Sequence, residues 1–283
     1  MRIISSVSEM QSYAGSLRME GTTIGFVPTM GSLHEGHLSL LRKSIEKSDK
    51  TVLSIFVNPM QFSPSEDFRK YPRDFERDKK LAEELGVDII FNPSEEEIYP
   101  NGYSTYTIVE GLSAQLEGKS RPSHFKGVST VVNKLFNIVK PHIAFFGQKD
   151  AQQAVIIERM TTELNLDIDI IICPTIREDD GLAISSRNSY LSPESLKQAA
   201  FIYQSLKEAE ILHLNGKQNT EFLIQKIKET LNSASLAKID YVSIQNAETL
   251  LPVESTNEGA LVAVAVFFDM TRLIDNILLT AAK

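Results

Sequence analysis

Up to residue 173 the chain alternates between short apolar runs and segments whose apolar residues recur at helical spacing. Residues 24–28 form a continuous apolar run, the pattern of a strand buried on both faces. Residues 35–47 read as a helix with Leu38, Leu41 and Ile45 on one face, and residues 51–57 as the next strand. A helix over 75–85 turns Leu81, Ala82 and Leu85 inward and stops at Gly86, which suits the left-handed position just past a helix end. Residues 87–91 follow as a strand. Val128, Val131, Val132, Leu135 and Val139 make the stripe of a further helix that ends before Pro141. Residues 143–146 then read as strand, 150–164 as helix and 168–173 as strand.

Strands alternating with helices imply βαβ crossovers, hence a mostly parallel sheet covered on both faces. The first part of the chain is therefore expected to be α/β, a doubly wound, Rossmann-like domain. After Pro174 the pattern changes to a polar stretch over 177–188, helices starting near Pro193 and over 220–231, and strands at 241–244 and 261–268. A boundary near residue 176 is expected, with one domain over 1–175 and a smaller C-terminal α+β domain over 176–283. No repeat of fixed period and no low-complexity tract interrupts this reading.

Composition narrows the class. With 42% hydrophobic and 23% charged residues over 283 positions, the chain has the mixture of a globular protein with a core, not that of a disordered or fibrous one. Its 29 Lys and Arg against 37 Asp and Glu give a formal charge of -8, which opposes a general polyanion binder and leaves room for a local basic pocket. One cysteine, Cys173, excludes an internal disulfide and a Cys-rich metal site; at a strand end it reads as a buried structural residue. Residues 1–11 lack the apolar core of a secretory signal, and the most apolar run, 260–268, is far short of the ~20 residues of a membrane helix. A soluble, cytoplasmic protein with neither nucleic acid nor membrane as partner is the expectation.

In a parallel α/β sheet, ligands bind beyond the carboxyl ends of the strands, so the segments after each strand carry the candidate chemistry. After the first strand comes Thr29-Met30-Gly31-Ser32-Leu33-His34-Glu35-Gly36-His37, and after the second Asn58-Pro59-Met60-Gln61. The strand ending at Phe146 leads into Gly147-Gln148-Lys149-Asp150, with Gln152 and Gln153 one turn into the next helix. His34 and His37 share a face of a first helical turn, where unpaired N–H groups and the helix dipole favour an anion, above all phosphate. Gly31 lets the backbone approach that anion. A zinc reading fits worse, because H-E-x-x-H spaces its histidines at i, i+4, whereas here the order is H-E-x-H and no third ligand is evident. Gly118-Lys119-Ser120 ends like a Walker phosphate loop, but Ser113 stands where the first glycine is needed and Arg121-Pro122 follows. Lys119 and Arg121 remain candidates only as pocket lining. At the expected boundary, Ser185, Ser186 and Arg187 offer two hydroxyls and a planar guanidinium suited to phosphate oxygens, on a segment placed to act as a lid.

Several segments carry a resemblance: Phe26-Val27-Pro28-Thr29 running into Met30 to His37, Phe56-Val57-Asn58-Pro59-Met60-Gln61-Phe62, Phe145-Phe146-Gly147-Gln148-Lys149-Asp150 and Asp180-Gly181-Leu182-Ala183-Ile184-Ser185-Ser186-Arg187-Asn188. With Thr271-Arg272-Leu273-Ile274-Asp275-Asn276 they run in order through the whole chain, and together they resemble the pantothenate synthetases, or pantoate–beta-alanine ligases. Alone, His34-Glu35-Gly36-His37 marks only the wider HIGH-motif nucleotidyltransferase superfamily. The resemblance implies an ATP-dependent carbon–nitrogen ligase. In that family the carboxylate of (R)-pantoate attacks the α-phosphate of Mg-ATP, giving pantoyl adenylate and pyrophosphate. The amine of β-alanine then displaces AMP to give pantothenate, on the way to coenzyme A.

The same resemblance assigns Met30, Gly31, Ser32, Leu33, His34, Glu35, Gly36 and His37 to the ATP loop. His37 is the family's proton donor, read here as neutralising the α-phosphate and the leaving pyrophosphate, since a histidine beside phosphates is readily cationic. Gly147, Gln148, Lys149 and Asp150 would bind nucleotide, Lys149 as a point charge on the phosphates. Ile184, Ser185, Ser186 and Arg187 stand at the second, KMSKS-like signature, and Ile176 would meet adenine through its backbone. Catalysis is thus expected from His34, His37, Lys149 and Arg187, because phosphoryl-type transfer needs charge compensation more than a protein nucleophile. Gln61 and Gln153 would hold pantoate by their amides, with Asn58 and Tyr71 as further candidates and Gln61 bordering β-alanine. Mg2+ is expected on phosphate oxygens and water, with no protein ligand assigned beyond a supporting role for Asp150. The resemblance also implies a homodimer.

Two other classes are weighed against this one. A nucleotidyltransferase that leaves the nucleotide on its product would accumulate that product and ignore β-alanine. An RNA-binding relative of class I synthetases is opposed by the charge of -8 and the absence of a basic stripe.

Overall fold

The computed structural model describes residues 1–64 and 66–281. They divide into two compact units, the first built from Met1–Gly147 and Ile156–Pro174, the second from Gln148–Val155 and the chain from Thr175 onward.

Among the described residues, the first unit holds six strands: β1 (Arg2–Ile4), β2 (Ile24–Thr29), β3 (Lys50–Ile55), β4 (Ile89–Phe91), β5 (Ile143–Gly147) and β6 (Asp169–Cys173). All pair in parallel, in the order β1-β4-β3-β2-β5-β6. From β2 the chain steps outward through β3 to β4, then restarts on the other side of β2 with β5 and β6. That reversal is a topological switch point, the place beyond the carboxyl ends of the strands where parallel α/β sheets bind their ligands.

Helices α1 (Val7–Met19), α2 (Glu35–Lys47), α3 (Phe75–Leu85), α4 (Glu95–Ile98), α5 (Glu117–Ser120), α6 (His124–Val139) and α7 (Ala151–Glu163) follow in chain order. The first residues of α7 belong to the second unit and the rest to the first. Consecutive strand residues point to opposite faces, and β2 shows it. Phe26 meets Phe136 of α6 edge-on at 6.4 Å, while Val27 joins Leu40 and Leu41 of α2, Leu53 and Ile90 in a separate cluster. Asp74 caps α3 by accepting the Arg77 N–H (3.1 Å), and Gly86 ends it at φ 86°, a conformation glycine adopts without strain.

Helix α2 has the expected bounds, but its inward face is rotated. Leu41 is buried and Leu38 partly so, whereas Ile45 is 38% exposed and Ser44 takes the inward place. The reason is close approach. A Cβ on Gly25 of β2 would run into the side chains of Ser44 and Ser48, so only small groups fit there, and Ser44 satisfies its hydroxyl against Thr51 (2.8 Å). Strand β1 and helix α1 lie outside the expected elements. The strand is three residues long, too short to display a period, and α1 buries only Met10, Ala14 and Leu17.

The second unit contains α8 (Pro193–Ala199), α9 (Phe201–Leu214), α10 (Thr220–Asn232) and, among the described residues, an antiparallel sheet of β7 (Ala237–Gln245), β8 (Ala260–Phe268) and β9 (Thr271–Leu279). Ile202, Leu206, Leu223, Ile227 and Leu231 of the helices pack with Val262, Val264, Val266 and Phe268 of β8. Strand β9 escaped the sequence reading because Asp275-Asn276, a pair of weak strand formers, interrupts its apolar pattern. No described helix is long and apolar enough to cross a membrane.

Candidate active site

In the first unit the chain leaves β2 at Thr29, whose hydroxyl donates to the Ser54 carbonyl (2.8 Å) and accepts the Gly31 N–H (3.1 Å). It then turns through Gly31 at φ 79° and Ser32 at φ 53°. A Cβ on Gly31 would lie 2.9 Å from a carboxylate oxygen of Asp78. That aspartate, on the inward face of α3 and 1% exposed, accepts the Ser32 N–H on Oδ2 and the Leu33 N–H on Oδ1, both at 2.7 Å. Burial outweighs these two bonds and holds the Asp78 carboxyl above its ordinary pKa. Sequence reasoning missed Asp78. The available signal was a carboxylate at a position where the α3 period calls for an apolar side chain.

His34 occupies the N-cap of α2 and its backbone N–H donates to His37 Nδ1 (3.4 Å), which leaves the proton of a neutral His37 on Nε2. The two rings stack with centroids 4.1 Å apart and planes 29° from parallel. Gly36 makes room for this, since a Cβ there would sit 3.0 Å from the His34 ring. Not every residue of the loop points the same way. Glu35 pairs with Arg42 at the surface, and the Leu33 side chain is fully buried, so Leu33 offers only its backbone.

Strand β3 leads into the short turn Pro59–Gln61. Asn58 is 1% exposed and organises it. Its Oδ1 accepts the Met60 N–H (3.3 Å) and the Tyr99 hydroxyl (2.8 Å), while its Nδ2 donates to Gln61 Oε1 (3.0 Å) and to the Gly127 carbonyl (3.1 Å). The Gln61 amide in turn donates to the Met30 sulfur at 3.2 Å, which joins the two loops. Beneath the turn, a Cβ on Gly127 would collide with the Met60–Gln61 peptide, so α6 packs directly against it. Buried His124 donates from Nδ1 to the Gln61 carbonyl (2.9 Å) and accepts on Nε2 from Arg121 (3.2 Å), which is itself paired with Glu66. Burial, with Arg121 beside it, pushes His124 down to about 4, so it is neutral at physiological pH. Tyr71 is a buried side chain packed edge-on against Phe62.

Gly147 ends β5 paired with Cys173, and burial pushes the thiol pKa of that residue up, as befits a structural cysteine. In the second unit, Gln148–Asp150 form a tight turn in which Lys149 is half-buried and Asp150 exposed, with Gln153 following on α7. Asn276 of β9 donates to the Gln148 carbonyl (2.9 Å) and the Lys149 carbonyl (2.8 Å) and accepts from the Gln148 amide (2.9 Å). Residues 176–184 form a hairpin. The Ile184 N–H donates to the Ile176 carbonyl (3.0 Å) and the Glu178 N–H to the Leu182 carbonyl (2.9 Å), which sets Ile176 beside Ile184. Ser185 then caps the turn Ser186–Tyr190 by accepting the Arg187 N–H (3.3 Å). Lys119 is exposed on α5, and Gly118 packs where a Cβ would overlap the Ser113 carbonyl, so neither makes a phosphate loop. Among the described residues no three His, Cys, Asp or Glu side chains gather to hold a metal.

The chain matches the profile of the pantoate-beta-alanine ligase family over residues 2–278. It is 55% identical over 279 residues to the pantothenate synthetase of Thermotoga petrophila, covering 99% of this chain and 100% of that one. It is 53% identical to that of Acetivibrio thermocellus, covering 98% and 99%. Among solved structures, the pantothenate synthetase from Thermus thermophilus superposes with a TM-score of 0.93 at 44% identity, over 99% of this chain and 100% of that one. The pantoate-beta-alanine ligase of Francisella tularensis, solved complexed with beta-gamma ATP and beta-alanine, gives 0.82 at 37% identity, over 98% and 97%. The parallel sheet with its histidine loop, the small antiparallel sheet and the full-length match agree: this chain belongs to the pantoate–beta-alanine ligase family.

Proposed function

We propose that this ligase activates (R)-pantoate as its adenylate before joining it to β-alanine. The observation that carries the reading is the stacked His34–His37 pair at the amino end of α2, entered through a glycine turn directly after the switch-point strand. Two imidazoles on a helix N-terminus form a site for phosphate. In the first step a pantoate carboxylate oxygen bonds to the α-phosphorus, and the bond from that phosphorus to pyrophosphate breaks. Negative charge moves onto the leaving pyrophosphate, where His34, His37, Lys149 and Arg187 offset it. In the second step the β-alanine amine bonds to the acyl carbon, AMP leaves with the bonding electrons, and the amine gives up a proton.

We assign the nucleotide to the backbone of Met30–His37, to Gly147–Asp150, to Ile176 and to Ile184–Arg187. The amides of Gln61 and Gln153 would hold the hydroxyls and carboxylate of pantoate. Gln61 suits that role because Asn58 and the Met30 sulfur set its amide. Mg2+ would be held by triphosphate oxygens and water and would screen phosphate charge there. The beta-gamma ATP and beta-alanine in the Francisella tularensis ligase support both substrates. Incubation with ATP and pantoate alone is expected to release pyrophosphate while AMP release waits for β-alanine. Absence of pyrophosphate would overturn the adenylate step, and a stable adenylylated product indifferent to β-alanine would favour a plain nucleotidyltransferase.

A further inference from the structure

We propose that Asp275 and Asn276 are positioning residues for ATP, each holding one nucleotide-binding segment from an opposite face of β9; this rests on the reading that Lys149 and Ile184–Arg187 hold the nucleotide. In the β8–β9 register Asp275 lies opposite Val264 and Asn276 opposite Ala263. Val264 belongs to the cluster packed under α9 and α10, so Asp275 lies on that face and Asn276 on the other. Both are buried, at 3% and 4% exposure, in a strand whose neighbours Leu273 and Leu279 are apolar. A strand of this kind is ordinarily filled with valine, isoleucine or leucine.

Neither polar side chain is used on the sheet alone. Asn276 directs both N–H groups of its amide at the carbonyls of Gln148 and Lys149, one on either side of the Lys149 Cα, and its oxygen at the Gln148 side chain. Only a primary amide supplies two donors and an acceptor there. Those bonds orient the peptide planes flanking Lys149, hence the direction in which its side chain leaves the turn. Asp275 binds Arg177 through both oxygens, at 2.5 and 3.0 Å. Arg177 also donates to the Gly181 carbonyl (3.1 Å) and lies 3.8 Å over the Tyr203 ring. Gly181, at φ 92°, is pressed against that ring so closely that a Cβ would overlap it. Asp275 thereby anchors the base of the hairpin that delivers Ile184–Arg187.

The test uses the full chain and Lys149→Ala, Asn276→Ala and the double variant. It follows pyrophosphate release from ATP and pantoate, the reaction of isolated pantoyl adenylate with β-alanine, and thermal unfolding. Asn276→Ala is expected to lower kcat/KM for ATP on the order of 10- to 100-fold, to leave KM for pantoate unchanged, and to spare the second half-reaction. Because Asn276 acts through Lys149, the double variant should be no slower than Lys149→Ala alone. Multiplying losses, or an equal rise in KM for pantoate, would overturn the proposal. If Asn276→Ala does not fold, Asn276→Ser retains a single donor and should show an intermediate loss; full activity in that variant would overturn the proposal. For Asp275, Asp275→Asn and Arg187→Ala should likewise fail to multiply. Normal use of ATP by Lys149→Ala would remove the underlying assignment itself, an outcome distinct from a normal Asn276→Ala beside an impaired Lys149→Ala.

Discussion

In the first unit the turn at Gly31–Leu33 hangs on the Asp78 carboxylate, and the Gln61 peptide rests on the His124 imidazole. In the second, the turn at Lys149 hangs on the Asn276 amide, and the hairpin leading to Ile184 on an arginine–carboxylate pair. One half is thus held by a carboxylate and a neutral imidazole that each meet backbone directly, the other by an amide that meets backbone and by a carboxylate that works through a guanidinium. Equivalent tasks, the fixing of a backbone turn by a distant side chain, are met by different chemistry. The acid response of the first unit can therefore be traced to His124 and Asp78.

The largest expected effect bears on function in the second unit. Lys149→Ala should slow pyrophosphate release roughly 10²- to 10³-fold while isolated pantoyl adenylate still reacts with β-alanine at a near-normal rate, as stopped assays of each half-reaction would show. A similar slowing of both halves would erase the contrast. Next comes acid sensitivity. An unfolded imidazole takes up a proton near 6.5, whereas folded His124 resists until about 4, so stability falls as pH drops through that window. The loss is on the order of 3 kcal/mol, and denaturant titrations of His124→Gln should show a flatter acid limb than the parent. Asp78 works in the opposite sense. Its raised pKa favours the fold at low pH and that contribution declines as pH rises through the raised value, which partly offsets His124. Replacing Asp78 by alanine orphans two N–H groups and should cost about 2 kcal/mol by urea unfolding. Smallest is Gln61→Ala, expected to raise KM for pantoate about 10-fold, the loss of roughly one hydrogen bond, with KM for ATP unchanged.

Much of this arrangement was legible in the residues, for identifiable reasons. Helices α2, α3 and α6 carry clear periods, and Gly86 and Pro141 mark where α3 and α6 stop, so the bounds of α2 and α3 and the end of α6 could be read directly. The histidine loop and the Lys149 turn are contiguous motifs placed after strands, where a parallel sheet puts its chemistry. What escaped reading depends on contacts between distant residues. Ser44 displaces Ile45 from the inward face because of glycine far back on β2, and Asp78 reaches a loop 45 positions earlier. Asp275-Asn276 was visible as part of a motif but spoke against a strand, because local propensity and long-range duty disagree there. Such conflicts mark places where a side chain serves something other than its own element.

The clasp on Lys149 has a further consequence in the order of synthesis. Asn276 lies 127 positions after the carbonyl it holds. A growing polypeptide therefore carries its lysine turn, its serine–arginine loop and most of the second core long before the residue that sets the turn has been made. Folding of that region can start early, yet the turn is completed only by β9, which is translated after every other described strand, and a chain interrupted before it is left with the lysine but not its guide.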